Sequence, residues 1–452
     1  MKRVHFIGIG GYSMSGLALW LHNLGYDVSG SDMNPSSRTE RLIRAGVAVE
    51  YGHSADHIQG ADEVIYSTDV HEDNVERHAA LAAGVPVRHR SDLLAEILGG
   101  RRAITVSGTH GKTTTTTMIG TVLTEAGFDP SVLVGGEVES FGGNVRVGRS
   151  DWMVAEADES DGTFLRYQPD IAVATNVESE HLEHFNESFD VLKAAFQSYL
   201  GHVGSQGAAV VGIDDPVLAA MAPNLTVPTL TYGLSSQAHI RGVVTGQDGG
   251  GTTFEVYEAG ARVGAIRLRV PGIHNVKNAL AAVAVAHHLG IGQQVVCDAL
   301  GNFRNANRRF QILASGPVRV VDDYAHHPTE IRATLAACRQ VTIGRVVALF
   351  QPQRYIRTKN LWNEFVTAFD QADIVVITEI YAPPGEAPIE GISGQALAEA
   401  IRKNRQGPVY YVPDMYGATD VVLPMLAPGD TFLTMGAGPI YKVGERVSQL
   451  LA

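Results

Sequence analysis

The sequence predicts an α/β protein made of three domains with mostly parallel sheets. The chain has 452 residues, too many for a single hydrophobic core. Short apolar runs alternate with segments of helical periodicity, the pattern of strands joined by crossover helices. Two glycine-rich loops each follow such an apolar run directly. We place the domains at 1–100, 101–308 and 309–452.

Composition and charge exclude several classes of protein. The formal net charge is −13, so the basic surface that nucleic-acid binding needs is not expected. The two cysteines, Cys297 and Cys338, allow at most one disulfide pair, which is typical of a reducing compartment. No apolar run approaches the roughly 20 residues of a membrane-spanning helix. We therefore expect a cytoplasmic protein with neither nucleic acid nor membrane as a partner.

The first domain begins with an apolar strand that runs into glycines. Strands are predicted at 4–9, 27–31, 64–67 and 85–87, and a helix at 15–24. The loop at 8–16 is similar to a dinucleotide fingerprint, and Asp32 stands where a ribose-binding acid could lie, but Ser13 occupies the third glycine position. This pattern leaves three interpretations open: a site for a nucleotide diphosphate, a site for NAD, or a tight strand–helix turn.

The strongest motif opens the central domain. Residues 107–115 read Ser-Gly-Thr-His-Gly-Lys-Thr-Thr-Thr, follow an apolar strand at 103–106 and start a threonine-rich helix. Glycines let backbone N–H groups surround a phosphate, and the helix N-terminus adds a favourable dipole. We expect Lys112 to reach the outer phosphates of ATP and the Thr113 hydroxyl to bind Mg²⁺. Because Val106 replaces the first glycine of the longer motif, this is a shortened loop; the alternative is a turn with a solvated lysine.

Acidic and histidine side chains follow the next two predicted strands, at 152–155 and 171–175. Residues 156–161 read Glu-Ala-Asp-Glu-Ser-Asp, and Glu156 closes the strand at a position where an acid binds Mg²⁺ in phosphate-loop enzymes. His181 follows the other strand and is a candidate second metal ligand. The alternatives are a solvated acidic loop and a structural histidine.

The remaining central segments predict one hairpin and one long helix. A strand is expected at 208–212. Polar and apolar residues then alternate from 239 to 270 around Asp-Gly-Gly-Gly at 248–251, which indicates an antiparallel hairpin region. An alanine-rich helix is predicted at 275–289.

The third domain carries further motifs at the ends of predicted strands. These strands are expected at 318–321, 346–350, 374–378, 410–412 and 432–435. Arg354, Tyr355 and Arg357 follow one of them and form a natural clamp for a carboxylate or phosphate, unless they form a basic surface turn. Residues 436–439, Gly-Ala-Gly-Pro, predict a close-approach turn or a second anion loop.

In this order the motifs resemble the Mur ligases, which build the peptidoglycan precursor peptide. The match covers nearly the whole chain and also includes segments 274–279, 308–310, 323–328 and 351–358. The resemblance implies a Rossmann-like N-terminal domain for the UDP substrate, a central P-loop ATPase-like domain with the hairpin region, and a Rossmann-like C-terminal domain for the amino acid.

The resemblance also implies an activity. This is the ATP-dependent joining of L-alanine to the lactyl carboxylate of UDP-N-acetylmuramate through an acyl phosphate. The expected metal is Mg²⁺, or Mn²⁺ in its place, and the expected assembly is a monomer or homodimer.

Individual residues acquire roles from the same resemblance. ATP would be bound by Gly108, Thr109, His110, Gly111, Lys112, Thr113, Thr114, His274, Asn275, Asn278, Arg309 and Asp323. The other substrates would be bound by Gly10, Gly11, Ser15, Asp32, Ser67, Arg166, His327, Arg354, Tyr355 and Arg357. The metal ligands would be Thr113, Glu156 and His181, and the catalytic residues Lys112, Glu156, His181 and Arg357. Gln353 departs from the family's usual histidine, and Glu180 and Glu183 from its common aspartates.

Three other functions share part of the pattern. A murein-peptide recycling ligase would act on the same nucleotide sugar, although the run at 156–161 favours the alanine-adding branch. A P-loop ATPase switch or motor would hydrolyse ATP without an amino acid. An NAD-dependent oxidoreductase would depend on residues 8–16 alone.

Overall fold

The computed structural model describes residues 2–204, 206–383 and 386–451. Within them the strands form three sheets, of five, ten and six strands, and each predicted domain contains one sheet. Strands and helices alternate, which confirms the predicted α/β class; the domain boundaries stay predictions. The chain forms two compact units. The first contains the residues up to Val243, Glu255–Gly264 and Lys277–Leu300, and the second contains Val244–Phe254, Ala265–Val276 and the residues from Gly301 onward.

The first sheet is built from short parallel strands. Its strands are β1 (Arg3–Ile7), β2 (Asp27–Asp32), β3 (Ala48–Tyr51), β4 (Glu63–Tyr66) and β5 (Val87–His89), and its helices are α1 (Tyr12–Asn23), α2 (Ser37–Arg44), α3 (Val75–Ala82) and α4 (Arg90–Gly99). The strand order is β3-β2-β1-β4-β5, with parallel pairing. β1 forms because Val4, Phe6 and Ile7 bury their side chains in the core. β5 begins two residues later than predicted, and β3 was not predicted.

The second sheet contains the phosphate loop and the predicted hairpin. Its strands are β6 (Arg102–Ser107), β7 (Ser131–Val138), β8 (Gly143–Arg146), β9 (Trp152–Glu156), β10 (Ile171–Ala174), β11 (Ala208–Gly212), β12 (Thr229–Gly233), β13 (Ile240–Asp248), β14 (Gly251–Glu258) and β15 (Ala261–Leu268). The helices in this part are α5 (Lys112–Glu125), α6 (Phe189–Gly201), α7 (Pro216–Met221), α8 (Ile273–His288) and α9 (Gln293–Gly301). The strand order is β15-β14-β13-β12-β11-β10-β6-β9-β7-β8. Two residues join the neighbouring strands β13 and β14, so the predicted hairpin is confirmed.

The third sheet has a fully buried central strand. Its strands are β16 (Gln311–Ser315), β17 (Arg319–Asp323), β18 (Val346–Phe350), β19 (Ile374–Thr378), β20 (Val409–Val412) and β21 (Thr431–Met435). Its helices are α10 (Pro328–Val341), α11 (Tyr355–Asn360), α12 (Trp362–Val366), α13 (Gly394–Asn404), α14 (Ala418–Val422) and α15 (Tyr441–Leu451). The order is β16-β17-β21-β18-β19-β20; within this sheet β16 pairs antiparallel with β17, and the other described pairs are parallel. None of the described helices combines the length and apolarity needed to cross a membrane.

Three neighbouring strands of the second sheet bring the predicted motifs together. β10, β6 and β9 lie side by side, and their registers pair Ser107 with Ala174 and Val106 with Glu156. Parallel strands end at the same edge of a sheet, where ligands of such folds bind. The phosphate loop, the acidic segment and the segment after Ala174 therefore start beside one another.

Candidate functional site

Two glycines shape the phosphate loop. Gly108 has a φ of +138° and Gly111 a φ of +84°, both conformations that favour glycine. A Cβ atom on Gly108 would lie 2.0 Å from Thr175 Oγ1, and one on Gly111 would lie 2.7 Å from Asn278 Oδ1. α5 starts directly after Gly111, and no described side chain caps it there. The loop is therefore held close to its neighbours, and the N-terminus of α5 is suited to an anion.

The segment that follows β10 fixes the conformation of this loop. The Asn176 carbonyl accepts from the N–H of Thr109 at 3.1 Å, and Asn176 Oδ1 accepts from the N–H of His110 at 2.8 Å. Thr175 Oγ1 donates to the His110 carbonyl at 2.6 Å. The N–H of Glu178 donates to Thr109 Oγ1 at 2.8 Å. The loop that carries the predicted ATP-binding residues Thr109 and His110 is thus held in place by hydrogen bonds to residues 175–178.

Lys112 points back onto the loop and towards a buried carboxylate. Its Nζ donates to the Gly108 carbonyl at 2.7 Å and lies 3.5 Å from the Thr109 carbonyl. Both oxygens of Glu159 accept from it, at 2.9 and 2.8 Å. Glu159 is 3% exposed. The predicted phosphate-binding lysine therefore forms an ion pair with the acidic segment, through Glu159.

Carboxylates keep Lys112 charged. Burial alone would lower the pKa of Lys112, but Glu159, Asp158 and Glu156 raise it above its usual value. Burial raises the pKa of Glu159, although the charge of Lys112 opposes this shift. Burial would likewise raise the pKa of Asp158, but Lys112 and the N–H of Ser160 lower it. The acidic segment and Lys112 are thus one electrostatic cluster.

The three predicted metal ligands lie on adjoining elements. Thr113 is buried in the first turn of α5, as is Thr114, which is predicted to bind ATP. Glu156 Oε1 accepts from the N–H of Gly135 on β7 at 2.5 Å. His181 has a φ of +56°, and its charge helps to lower the pKa of Asp158. His181 therefore belongs to the same electrostatic neighbourhood as the acidic segment.

Two of the three residues that depart from the family's pattern, Glu180 and Glu183, flank His181. Glu180 Oε1 lies 4.0 Å from its Nε2, and Glu183 Oε1 lies 3.8 Å from its Nδ1. Their longer side chains thus place carboxylates on both sides of the imidazole.

Three predicted ATP-binding residues of α8, His274, Asn275 and Asn278, divide between the two compact units. In the first unit, Asn278 on α8 lies against Gly111 of the phosphate loop. In the second unit, Asn275 Nδ2 donates to the Pro271 carbonyl at 2.7 Å. The ring of His274 packs against Gly272, where an added Cβ would lie 2.5 Å from His274 Cε1. Of these residues, Asn278 is the one placed beside the phosphate loop within a single unit.

The first glycine loop is held by the acid that was predicted to bind ribose. Asp32 Oδ2 accepts from the N–H of Gly10 at 2.8 Å, and a Cβ on Gly10 would lie 2.7 Å from the same oxygen. Gly11 precedes α1 and donates to the Gly8 carbonyl at 3.1 Å. The Ser67 hydroxyl lies 3.7 Å from the place that a Cβ on Gly8 would occupy. Asp32 thus supports the loop backbone, and its contact with a ligand stays a prediction.

An arginine that the sequence did not reveal also binds this loop. Arg38 Nε donates to the Gly10 carbonyl at 2.5 Å. Its guanidinium lies 4.0 Å from the centroid of the Tyr12 ring. A cation is therefore fixed at the first glycine loop by residues of α1 and α2.

Two predicted substrate-binding residues, Ser15 and Arg166, join helices beside the first sheet to the part of the chain that contains the second sheet. Ser15 is buried, and its hydroxyl accepts from Asn144 Nδ2 at 3.1 Å. Arg166 forms an ion pair with Asp92 on α4. Both side chains are thus engaged in contacts within the protein.

In the second unit, Asp323 joins two loop segments. Its carboxylate accepts from the N–H groups of Phe310 and Ala325 at 2.7 and 2.8 Å and from Thr334 Oγ1 at 3.2 Å. Burial raises the pKa of Asp323 to about 6. The geometry gives Asp323 a local structural role, and its contact with ATP stays a prediction.

Arg309 and His327 lie around α10 of the same unit. Arg309 Nη1 is 3.9 Å from Glu330 Oε1, and the guanidinium lies 5.2 Å from the centroid of the Tyr324 ring. His327 is buried and caps α10, since its Nδ1 accepts from the N–H of Thr329 at 3.3 Å. The imidazole is therefore fixed by the start of the helix.

The arginine motif follows β18 as predicted. Arg354 has a φ of +65° and donates its N–H to the Tyr381 carbonyl at 3.0 Å. Arg357 Nη1 donates to Gln353 Oε1 at 2.7 Å. Burial and two acidic side chains, Glu379 and Glu386, raise the pKa of Tyr355. Gln353, the third residue that departs from the family's pattern, thus positions Arg357 directly.

Three family profiles match the chain. The profile described as the Mur ligase family catalytic domain matches residues 3–102, the Mur ligase middle domain matches 106–286, and the Mur ligase glutamate ligase domain matches 308–438. A UDP-N-acetylmuramate–L-alanine ligase from Symbiobacterium thermophilum is 49% identical over 100% of this chain and 95% of its own length. One from Geobacter sulfurreducens is 44% identical over 98% of this chain and 96% of its own length.

Two solved structures of ligases are also similar to this chain. UDP-N-acetylmuramate–alanine ligase from Thermotoga maritima is 30% identical, with a TM-score of 0.86 over 100% of this chain and 99% of that one. A murein peptide ligase from Psychrobacter arcticus is 25% identical, with a TM-score of 0.73 over 100% and 99% of the two chains. The predicted three-domain fold is therefore confirmed.

Proposed function

The chain belongs to the Mur ligase family, and we propose that it joins L-alanine to the lactyl carboxylate of UDP-N-acetylmuramate with consumption of ATP. It is an ATP-dependent ligase that forms an amide bond. The observation that supports the choice of alanine is the identity of 49% and 44% to full-length relatives named for that reaction. Its location in the cytoplasm and its state as a monomer or homodimer stay predictions.

The phosphate loop would bind the triphosphate of ATP. Its glycines and the N-terminus of α5 offer backbone N–H groups, and Lys112 offers a charge that the neighbouring carboxylates maintain. Asn278 lies at the same loop. We assign Gly108 and Gly111 to phosphate binding because their positive φ angles shape the loop whose backbone N–H groups would surround the phosphates.

The residues near Lys112 suit a hard divalent cation. Carboxylate and hydroxyl oxygens such as those of Glu156 and Thr113 are the ligands that Mg²⁺ prefers, and an imidazole such as His181 is also compatible with Mn²⁺. When bound, the metal would offset charge on the transferring phosphoryl group.

The reaction needs activation because a carboxylate is a poor acylating agent at neutral pH. Transfer of the γ-phosphoryl group of ATP to the lactyl carboxylate gives an acyl phosphate and ADP. Lys112 would stabilise the charge that develops during this transfer. The amine of L-alanine then attacks the acyl carbon, and phosphate leaves.

The second unit would bind the amino acid. Arg354 and Arg357 follow β18, and Gln353 fixes Arg357 by a hydrogen bond, so the pair suits the carboxylate of L-alanine. The ammonium of alanine must lose protons before and during attack. We leave the accepting base unassigned among the carboxylates and histidines of the site.

The test is phosphate release from ATP with Mg²⁺ and UDP-N-acetylmuramate, with and without L-alanine. We expect release to require both substrates and mass spectrometry to detect the alanyl product. A tripeptide beginning with L-alanine is the competing substrate, since a relative of known structure from Neisseria is named for a longer peptide. Preference for that peptide would identify a recycling ligase, and release without either substrate would identify an ATPase switch.

A further inference from the structure

The Lys112 ammonium already contacts four oxygen atoms of the protein. These are the Gly108 carbonyl at 2.7 Å, the two Glu159 oxygens at 2.8 and 2.9 Å, and the Thr109 carbonyl at 3.5 Å. An ammonium group has three N–H donors. A phosphate oxygen can therefore gain a full hydrogen bond from Lys112 only by replacing one of these acceptors.

The carboxylate is the acceptor that costs most to replace. Glu159 is 3% exposed, and among the residues that the structure describes Lys112 is the cation paired with it. Withdrawal of Lys112 would leave a buried carboxylate without its counter-ion, which is far more costly than the loss of a neutral hydrogen bond. The Gly108 and Thr109 carbonyls are neutral and belong to the loop that faces the triphosphate.

We infer that Glu159 is a positioning residue that retains Lys112 during turnover, while a loop carbonyl gives way to the phosphate oxygen. In this arrangement Glu159 directs one N–H of Lys112 towards the transferring phosphoryl group. The inference rests on the proposed function and names a residue that acts through Lys112 without touching the substrate.

The charge and the shape of Glu159 have separable effects. Glu159→Gln keeps the length of the side chain and one acceptor oxygen but removes the charge that retains Lys112. We expect kcat to fall by on the order of 100-fold, because a misplacement of about 1 Å has an effect of that size. The KM for ATP should stay equal or decrease, because one negative charge near the triphosphate is gone.

A conservative variant and a matched control separate positioning from folding. Glu159→Asp keeps the charge, so it should recover part of the lost kcat. Glu63→Gln removes another buried glutamate that pairs with a lysine, Lys2, at 2.7 Å, but at the start of β4 and away from the loop. This control should retain the kcat of the wild type.

Two measurements decide the inference. Steady-state kinetics over a range of ATP and Mg²⁺ concentrations give kcat, the KM for ATP and the dependence on Mg²⁺. Calorimetry with a non-hydrolysable ATP analogue gives the affinity for the nucleotide without turnover. Unchanged kcat in Glu159→Gln would overturn the inference. A defect that high Mg²⁺ corrects would also overturn it, since Glu159 would then be a metal ligand.

The same measurements distinguish a failure of the proposed function. If the wild type shows no alanine-dependent turnover, the proposed function has failed. Binding of the analogue then tests the inference. Lys112→Met should lower the affinity of the protein for the analogue, whereas Glu159→Gln should leave that affinity equal or higher. Weakened analogue binding in Glu159→Gln, to the same extent as in Lys112→Met, would contradict it.

Discussion

A buried glutamate of α3, Glu76, should dominate the acid sensitivity of the part of the protein that contains the first sheet. Glu76 is fully buried. Its carboxylate contacts His57 Nδ1 at 2.7 Å, Ser31 Oγ at 2.6 Å, the N–H of Ser54 at 3.2 Å and His5 Nε2 at 3.4 Å. Burial alone would raise the pKa of Glu76, but hydrogen bonds from His5, Ser31 and His57 lower it to about 2.

The lowered pKa gives the size of the effect. Each pKa unit corresponds to about 1.4 kcal/mol, so a decrease from 4.5 to about 2 stabilises the fold by about 3 kcal/mol at neutral pH. Because the folded-state pKa is the lower one, this stabilisation is present above pH 4.5 and is lost as the pH falls towards 2. We expect Glu76→Gln to lower the free energy of unfolding by about 3 kcal/mol at pH 7 and by less than half of that at pH 3.

Urea unfolding at several pH values, followed by tryptophan fluorescence, measures this difference. Comparison of variant and wild type at each pH cancels the contribution of the other carboxylates. Glu40→Gln is the control, because Glu40 pairs with Arg44 on the exposed surface of α2. The free energy of unfolding of this variant should equal that of the wild type at each pH. A difference for Glu76→Gln that is the same at pH 7 and pH 3 would refute the reasoning, because the contacts would then not depend on charge.

Three further predictions concern the proposed site. Lys112→Ala should reduce alanine-dependent phosphate release at least about 100-fold, measured with saturating ATP, because a donor to the transferring phosphoryl group is lost. Arg354→Ala should raise the KM for L-alanine by on the order of 10-fold, because a charged hydrogen bond to the amino-acid carboxylate is lost. The KM for ATP should rise much less, and a rise in the KM for ATP alone would contradict the assignment. Gly108→Ala should abolish ATP binding in calorimetry, because its Cβ would lie 2.0 Å from Thr175 Oγ1, whereas Gly201→Ala, which meets no atom within 4 Å, should bind normally.

The sequence predicted the buried strands better than the exposed ones. β18 and β19 have the predicted bounds because each is a continuous apolar run between turn residues, and all of their side chains are buried. β3 and β16 lie at sheet edges, and most of their residues are exposed or half-buried. Such strands lack a strong hydrophobic pattern, so pairing with the neighbouring strand, and not periodicity, determines them.

In the candidate site, the residues that lie close together in sequence could be predicted, and the contacts between residues far apart in sequence could not. Gly108, Gly111 and Lys112 could be predicted because neighbours in sequence form the phosphate loop. Glu159 is 47 residues away from Lys112 and Asn176 is 66 residues away from His110, so only the order of the strands brings these pairs together. Arg38 had no sequence signal, since an arginine in the first turn of an amphipathic helix is typical of a solvated surface.

The acidic segment connects the phosphate loop to residues that follow strands of the first sheet. Glu159 holds Lys112 of the phosphate loop, while two residues later Asp161 accepts from Thr68 Oγ1 at 3.0 Å and lies 3.6 Å from Arg90 Nη2. Thr68 and Arg90 follow β4 and β5 of the first sheet. A segment this short has little freedom to move one end without the other, so the position of the first sheet and the position of Lys112 are physically linked. This segment is therefore held at both ends, by the ion pair of Glu159 with Lys112 and by the contacts of Asp161 with Thr68 and Arg90.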